Sequence, residues 1–327
     1  MNIKRIFSYL ALLLILLPQV CSAQKHICKY CDTGISSKFI EVEGDYYHPE
    51  HFLCAECKKQ IEGSYAKNAD NFYHPSCYKK IFHSKCDVCS ATLEGEYFVD
   101  LYGNKYHPEH LQENSRCDNC DRIICENITG GGKQLNDGRN LCNLCLENSV
   151  KSNSSYKFLL NKLIDRLRGL GLNIDTKNLS IIPVDRTGLK SAAGAMYSDN
   201  LKGFCKISSG SGSVNGRKFT EENTTIYVLD NIPPIYIEAT LAHELMHVWL
   251  HQNTKNNQTD QLKEGSCHYI SYLYLKSVND KTAHLISKMM LSDTNPVYGG
   301  GLRKVIEKFS GKYLVELLNY LKKNTSL

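Results

Sequence analysis

Residues 28–77 read CKYCDTGISSKFIEVEGDYYHPEHFLCAECKKQIEGSYAKNADNFYHPSC, and the spacing of their donors decides the first half of the fold. The donors are Cys28, Cys31, His48, His51, Cys54, Cys57, His74 and Cys77. A Cys-x2-Cys pair on a tight turn presents two thiolates to one ion, and a second pair further along closes a tetrahedron of N and S atoms. Fifty residues therefore hold two complete zinc sets. A disulfide framework is the alternative for cysteines in such pairs. Disulfides do not need histidine at fixed positions, and zinc does.

Residues 86–145 repeat the plan with Cys86, Cys89, His107 and His110, then Cys117, Cys120, Cys142 and Cys145. Tyr-His-Pro recurs at Tyr47-His48-Pro49, Tyr73-His74-Pro75 and Tyr106-His107-Pro108, which argues for duplication. The pattern resembles the LIM domain, a double zinc finger of short antiparallel hairpins. The resemblance implies four structural zinc ions and hairpin surfaces that bind protein partners. One departure stands out. Leu111 to Arg116 separate His110 from Cys117 where the family has two residues, which makes His110 a weaker ligand or bulges the connection.

In the second half the decisive stretch is His243-Glu244-Leu245-Met246-His247. On a helix, positions i and i+4 share a face, so both histidines can reach one zinc ion. Glu244 falls beside them as a general base. Glu264 opens the next helical stretch, Asp260 to Ser277, and is the expected third ligand, with His268 as its rival. His251 is expected at the surface. Thr224 to Asp230 reads as the edge strand that would pair with an extended substrate. Tyr298 is the candidate donor to a developing oxyanion. Cys205 and Cys267 remain, either as a disulfide or as two buried thiols.

HELMHVWL, KEGSCHYISYLYL and DTNPVYGGGLRKV are similar to the peptidase domain of the "DA one" proteins, LIM-domain zinc metallopeptidases of plants. The resemblance implies a gluzincin-like site, with His243, His247 and Glu264 as ligands and Glu244 as base, and cleavage of protein substrates. Ubiquitin-interacting helices precede the LIM region in those proteins. Here a leader-like segment holds that place, so activation by ubiquitin is not carried over.

The rest of the chain sets the frame. Charged residues make up 22% and hydrophobic ones 42% of 327 residues, which fits neither a disordered chain nor a multi-span membrane protein. Residues 24–148 carry 14 Lys and Arg against 19 Asp and Glu, so the finger half is no basic nucleic-acid arm. Lys4 and Arg5, the apolar run Ile6 to Leu17 and the small residues Cys21-Ser22-Ala23 read as a cleaved export signal; a membrane anchor would need about 20 apolar residues.

The expected architecture is small all-β zinc-finger repeats followed by an α+β zincin-like peptidase domain. Its expected parts are a signal peptide (1–23), LIM repeats (24–80 and 81–148), a linker (149–155) and the peptidase (156–327). The expected product is secreted or periplasmic, without a stable membrane anchor or a nucleic-acid partner. It would use zinc-activated water on protein or peptide substrates. A non-catalytic LIM scaffold with a peptidase-like domain is the alternative, and such a decayed site should have lost one of its residues. With five donor sets in the chain, elemental analysis of protein purified under reducing conditions should return five zinc ions. A value near one, with no free thiols, would mean disulfides instead.

Overall fold

The computed structural model describes residues 2–5, 26–214, 217–255 and 257–327. The chain divides into two compact units, Met1–Glu113 and Asn114–Leu327.

The first unit is a series of short hairpins: His26–Ile27 with Gly34–Ile35, Ile40–Val42 with Asp45–Tyr47, and Ala66–Asn68 with Asn71–Tyr73. Glu43 and Gly44 both take positive φ, 51° and 88°, in the two-residue turn whose twist matches a hairpin. The buried set is small, with Ile35, Ile40, Val42, Tyr47, Phe52 and Ile61 at its centre. Modules below about 40 residues usually need a metal or disulfides to fold, and here the Cys-x2-Cys turns supply the means.

Those turns are four copies of one structure. The residue after the second cysteine takes positive φ each time: Asp32 56°, Lys58 59°, Ser90 63° and Asp121 64°. Its amide donates to the carbonyl of the first cysteine at 2.8–2.9 Å. Both thiols are thereby turned to one side.

Residues Asn2–Arg5 form a strand paired antiparallel with Glu96–Val99. A segment built into this sheet is not a leader, so the pairing overturns the reading of residues 1–23 as an export signal. Residues 6–25, where the apolar run and the cleavage site were expected, lie outside the described residues. Secretion is not carried further. Among the described residues, no helix is long and apolar enough to cross a membrane.

The second repeat was expected as one domain over 81–148, but the seam between the units runs through it. Cys86, Cys89, His107 and His110 lie in the first unit, and Cys117, Cys120, Cys142 and Cys145 in the second. The extra residues after His107 are used as a short helical turn, His110–Glu113. The stretch 149–155, expected as a linker, makes contacts of its own. The Val150 amide donates to the Ile232 carbonyl at 3.1 Å, and a helix starts at Asn153.

The second unit continues with α1 (Asn153–Gly169), β1 (Leu179–Val184), α2 (Arg186–Ala193), β2 (Gly203–Val214), β3 (Arg217–Leu229) and α3 (Pro234–Asn253). Then come α4 (Asp260–Ser277), α5 (Lys281–Ser292), α6 (Gly299–Phe309) and α7 (Leu314–Lys323). It is a mixed α/β domain. Ser152 caps α1 by accepting from the Ser155 amide, and Leu159, Leu160, Leu163, Ile164 and Leu167 bury one face at helical spacing.

The sheet order is β1-β3-β2, with β3 parallel to β1 and antiparallel to β2. Thr224–Asp230 was expected at the edge; Thr224 to Leu229 instead lie in the central strand. Of Ser208–Gly216, read as a hairpin or loop, Ser208 to Val214 continue β2 in antiparallel pairing along one side of β3, and residues 215 and 216 lie outside the described residues. Leu179–Val184 takes the other side. β1 and β2 are the two edge strands.

Helix α3 carries buried residues nearly all round, including Ile237, Leu241, Ala242, Leu245, Met246, Val248, Trp249 and Leu250. That makes it the central helix of the unit. It packs on α4 and on β2 and β3. Helix α4 meets α6 at a glycine crossing, where a Cβ on Gly265 would lie 2.5 Å from the Gly301 carbonyl carbon. The glycine run 299–301 is therefore a packing surface and not a loose loop.

The Cys117–Cys145 finger is fastened to the same unit by a buried guanidinium. Arg139 donates from Nε to Asp137 at 2.7 Å and from Nη1 and Nη2 to the carbonyl and carboxylate of Asp230 at 2.8 and 2.5 Å. Asn119 donates to the Asn231 carbonyl at 3.0 Å, and Arg186 to Asp118 at 2.6 Å. Asp230 to Ile232 lead directly into α3. Burial alone would raise the Asp137 carboxyl. The Arg186 and Arg139 amides and the Arg139 guanidinium outweigh it and hold it below the usual range.

Arg139→Met should destabilise the second unit by about 3–5 kcal/mol in urea unfolding, because two carboxylates lose a buried partner. A loss under about 1 kcal/mol would contradict the clamp. A depressed carboxyl contributes stability that is full above its unfolded pKa and lost as the pH falls through the folded value. The wild type should therefore lose part of its stability below about pH 4, and the variant should lose less there.

Candidate functional site

Zinc bonds of about 2.3 Å to sulfur and 2.0–2.1 Å to nitrogen make tetrahedral edges of about 3.3–3.8 Å. The four expected finger sets each converge, with all four donor atoms of a set within 4.8 Å of one another. In the first, Cys28 Sγ–His51 Nδ1 and Cys31 Sγ–His48 Nδ1 are both 3.6 Å and His48 Nδ1–His51 Nδ1 is 3.3 Å. Cys57 Sγ–His74 Nδ1 is 3.3 Å, and Cys89 Sγ–His107 Nδ1 is 3.5 Å. Cys120 Sγ–Cys142 Sγ is 3.7 Å, a metal edge and far too long for a disulfide. His110 joins Cys86, Cys89 and His107, and also contacts Glu113 at 3.0 Å.

The fingers are prepared beyond their donors. His74 Nε2 donates to the Gln60 carbonyl at 3.0 Å and His107 Nε2 to that of Thr92 at 3.3 Å, which leaves each Nδ1 free for an ion. Burial alone would raise the Cys28 and Cys54 thiols. Backbone amides, those of His48 and of Cys57 foremost, outweigh it and hold both at about 6.

Helices α3 and α4 bring a fifth set together. His243 Nε2 and His247 Nε2 are 3.1 Å apart, and Glu264 Oε2 is 3.2 and 3.4 Å from them. These three edges are of the length that donors to one zinc ion would have. Burial alone would raise Glu264, but the two imidazoles outweigh it and hold its carboxyl well below the usual range. Burial would likewise lower His247; Cys267, Glu264 and Glu244 reverse that and raise it.

The sequence reading did not weigh Cys267 as a donor. Its thiol lies within 4.8 Å of a ring nitrogen of each histidine. Burial pushes that thiol up to about 11. Cys205 is pushed up to about 12 by burial as well, and both are free thiols.

His268 lies behind His243, with Nδ1 to Nδ1 at 3.0 Å, on the side of the ring away from the converging Nε2. Burial and then His243 push His268 down to about 3. The Tyr298 ring sits 5.2 Å from His268, beside the site and partly exposed at the start of α6. His251 is outside the set and contacts Glu222 at 3.0 Å.

Glu244 is buried beside the donors, with the start of β2 against it. No side chain fits between them. A Cβ on Gly203 would lie 2.4 Å from Thr240 Cγ2 and 3.3 Å from Glu244 Oε1.

These features define a LIM zinc-finger protein with a mixed α/β C-terminal domain. The LIM domain family matches residues 28–82, and the family described as Protein DA1 matches 211–290, the stretch with α3 and α4. Protein DA1-related 2 of Arabidopsis thaliana is 26% identical over 86% of this chain and 65% of its own length. LIM domain-containing protein HDR3 of Oryza sativa subsp. japonica is 28% identical over 79% of the chain and 58% of its own. Protein DA1 of Arabidopsis thaliana is 26% identical over 85% and 63%. The chain is thus similar to the DA1 proteins along most of its length, and it spans about three fifths of the length of these relatives.

Gly203→Ala should cost about 1–3 kcal/mol in urea unfolding, because the added methyl overpacks the contact of β2 with Thr240 and Glu244. Wild-type stability would mean that β2 does not seat on α3 as described.

Proposed function

We propose that the second unit is a zincin-like, gluzincin-type metallopeptidase that cleaves protein substrates. The observation that carries this is the triangle of His243, His247 and Glu264 donors with edges of 3.1–3.4 Å and a buried carboxylate, Glu244, next to it. Those three residues would hold a zinc ion, which would supply Lewis acidity toward water and the scissile carbonyl. Glu244 takes the proton of the attacking water and passes it to the leaving amine. The Tyr298 hydroxyl donates to the oxyanion as the carbonyl carbon becomes tetrahedral. An extended substrate adds along β2, the edge strand whose first residue, Gly203, lies against Glu244.

The four finger sets hold structural zinc, for five ions in all, since their donor spheres are complete. Their hairpins offer surface for a protein partner or for the substrate.

Glu244→Gln keeps both histidines and the side-chain size but cannot accept the proton. It should retain the fifth zinc and lose about 10²–10⁴-fold in peptide cleavage. Glu264→Gln should lose that zinc and the activity together, because a neutral amide is a poorer donor. Finger zinc should stay at four in both variants, which elemental analysis reads. Wild-type cleavage by Glu244→Gln would overturn the mechanism.

A further inference from the structure

One turn of α4 carries more than a ligand. Glu264 and His268 are four residues apart, so they share a face of the helix. Glu264 Oε2 reaches the Nε2 atoms of both histidines, while His268 Nδ1 reaches the other nitrogen of His243 at 3.0 Å. The two ring nitrogens of an imidazole point in diverging directions. A group bonded at Nδ1 therefore cannot also join an ion at Nε2. That geometry removes His268 from the donor set and leaves it a different task.

We propose that His268 is a positioning residue, which fixes the His243 ligand by accepting its Nδ1 proton and supports Tyr298 on its own ring. This rests on the reading of His243, His247 and Glu264 as one metal site. The proton count follows from that reading. Ligation at Nε2 needs the lone pair there, so the His243 proton is on Nδ1. It can be donated only to an unprotonated Nδ1 of His268, whose own proton is then on Nε2. The rings cross at 80° with centroids 4.8 Å apart, edge to face, so one ring aims at the other. Tyr298 lies 5.2 Å from His268 at 44°, so the same imidazole that orients the ligand also carries the phenol at the site. Metal-bound histidines commonly donate to a carboxylate or a carbonyl in this way, and losing such a partner costs about 10–100-fold in metal affinity. Here an imidazole does that work.

Two variants of the full chain test it, with zinc affinity read by competition against a chromophoric chelator. The relevant ion is the one that Glu264→Gln releases. His268→Phe keeps a ring against Tyr298 but cannot accept the proton. It should bind that zinc about 10–100-fold more weakly, with the four finger ions unchanged. His268→Gln offers an amide oxygen at a similar reach and should stay within a few-fold of wild type. Unchanged affinity in His268→Phe would overturn the proposal. So would a His268→Gln that empties the site as fully as Glu264→Gln, because that is how a ligand behaves. Should His268→Phe fail to fold, the affinity of His268→Gln decides by the same criterion. A wild-type chain that takes no fifth zinc would fail the metal-site reading itself, which is a separate outcome from a wild type that takes zinc with or without His268.

Discussion

The constraint on which the fingers depend is the convergence of four thiol and imidazole groups within 4.8 Å of one another. Every hairpin of the first unit is arranged to meet that condition. The strands are two to four residues long and the apolar cluster is small, the setting in which metal ligation commonly supplies folding free energy. The repeated left-handed residue after each Cys-x2-Cys pair is the backbone's part. The histidine contacts to the Gln60 and Thr92 carbonyls are the side chains' part.

The same condition recurs in the second unit in a rigid frame. Helix α3 is buried on nearly all sides, so His243 and His247 sit on an element that cannot shift freely. Helix α4 brings Glu264, Cys267 and His268 within little more than one turn. Its close approach to α6 at Gly265 and Gly301 puts Tyr298 beside that turn. A site on packed helices holds its geometry better than one on loops.

Arg139 links the two kinds of construction. Its guanidinium is buried between Asp137 and Asp230, and Asp230 lies just before α3. The last finger is therefore part of the same packed unit as the candidate active site. Lifting the finger away would break the two Arg139 contacts to Asp230.

The donors themselves were legible in the sequence, because zinc demands particular residue types at particular spacings. All sixteen finger donors converge in the sets expected of them. The i, i+4 histidines and the helix Asp260–Ser277 followed from periodicity in the same way. The seam at Glu113, the central place of β3 and the Arg139 clamp were not legible. Each depends on which distant segment packs where, and spacing along the chain carries no record of that. His268 shows the division most closely. Its position one turn beyond Glu264 made it a rival ligand in the sequence. Only the fold turns Nδ1 of His243 toward His268 and Nε2 toward Glu264, because which side of a ring meets a neighbouring helix is set by packing and not by spacing along the chain.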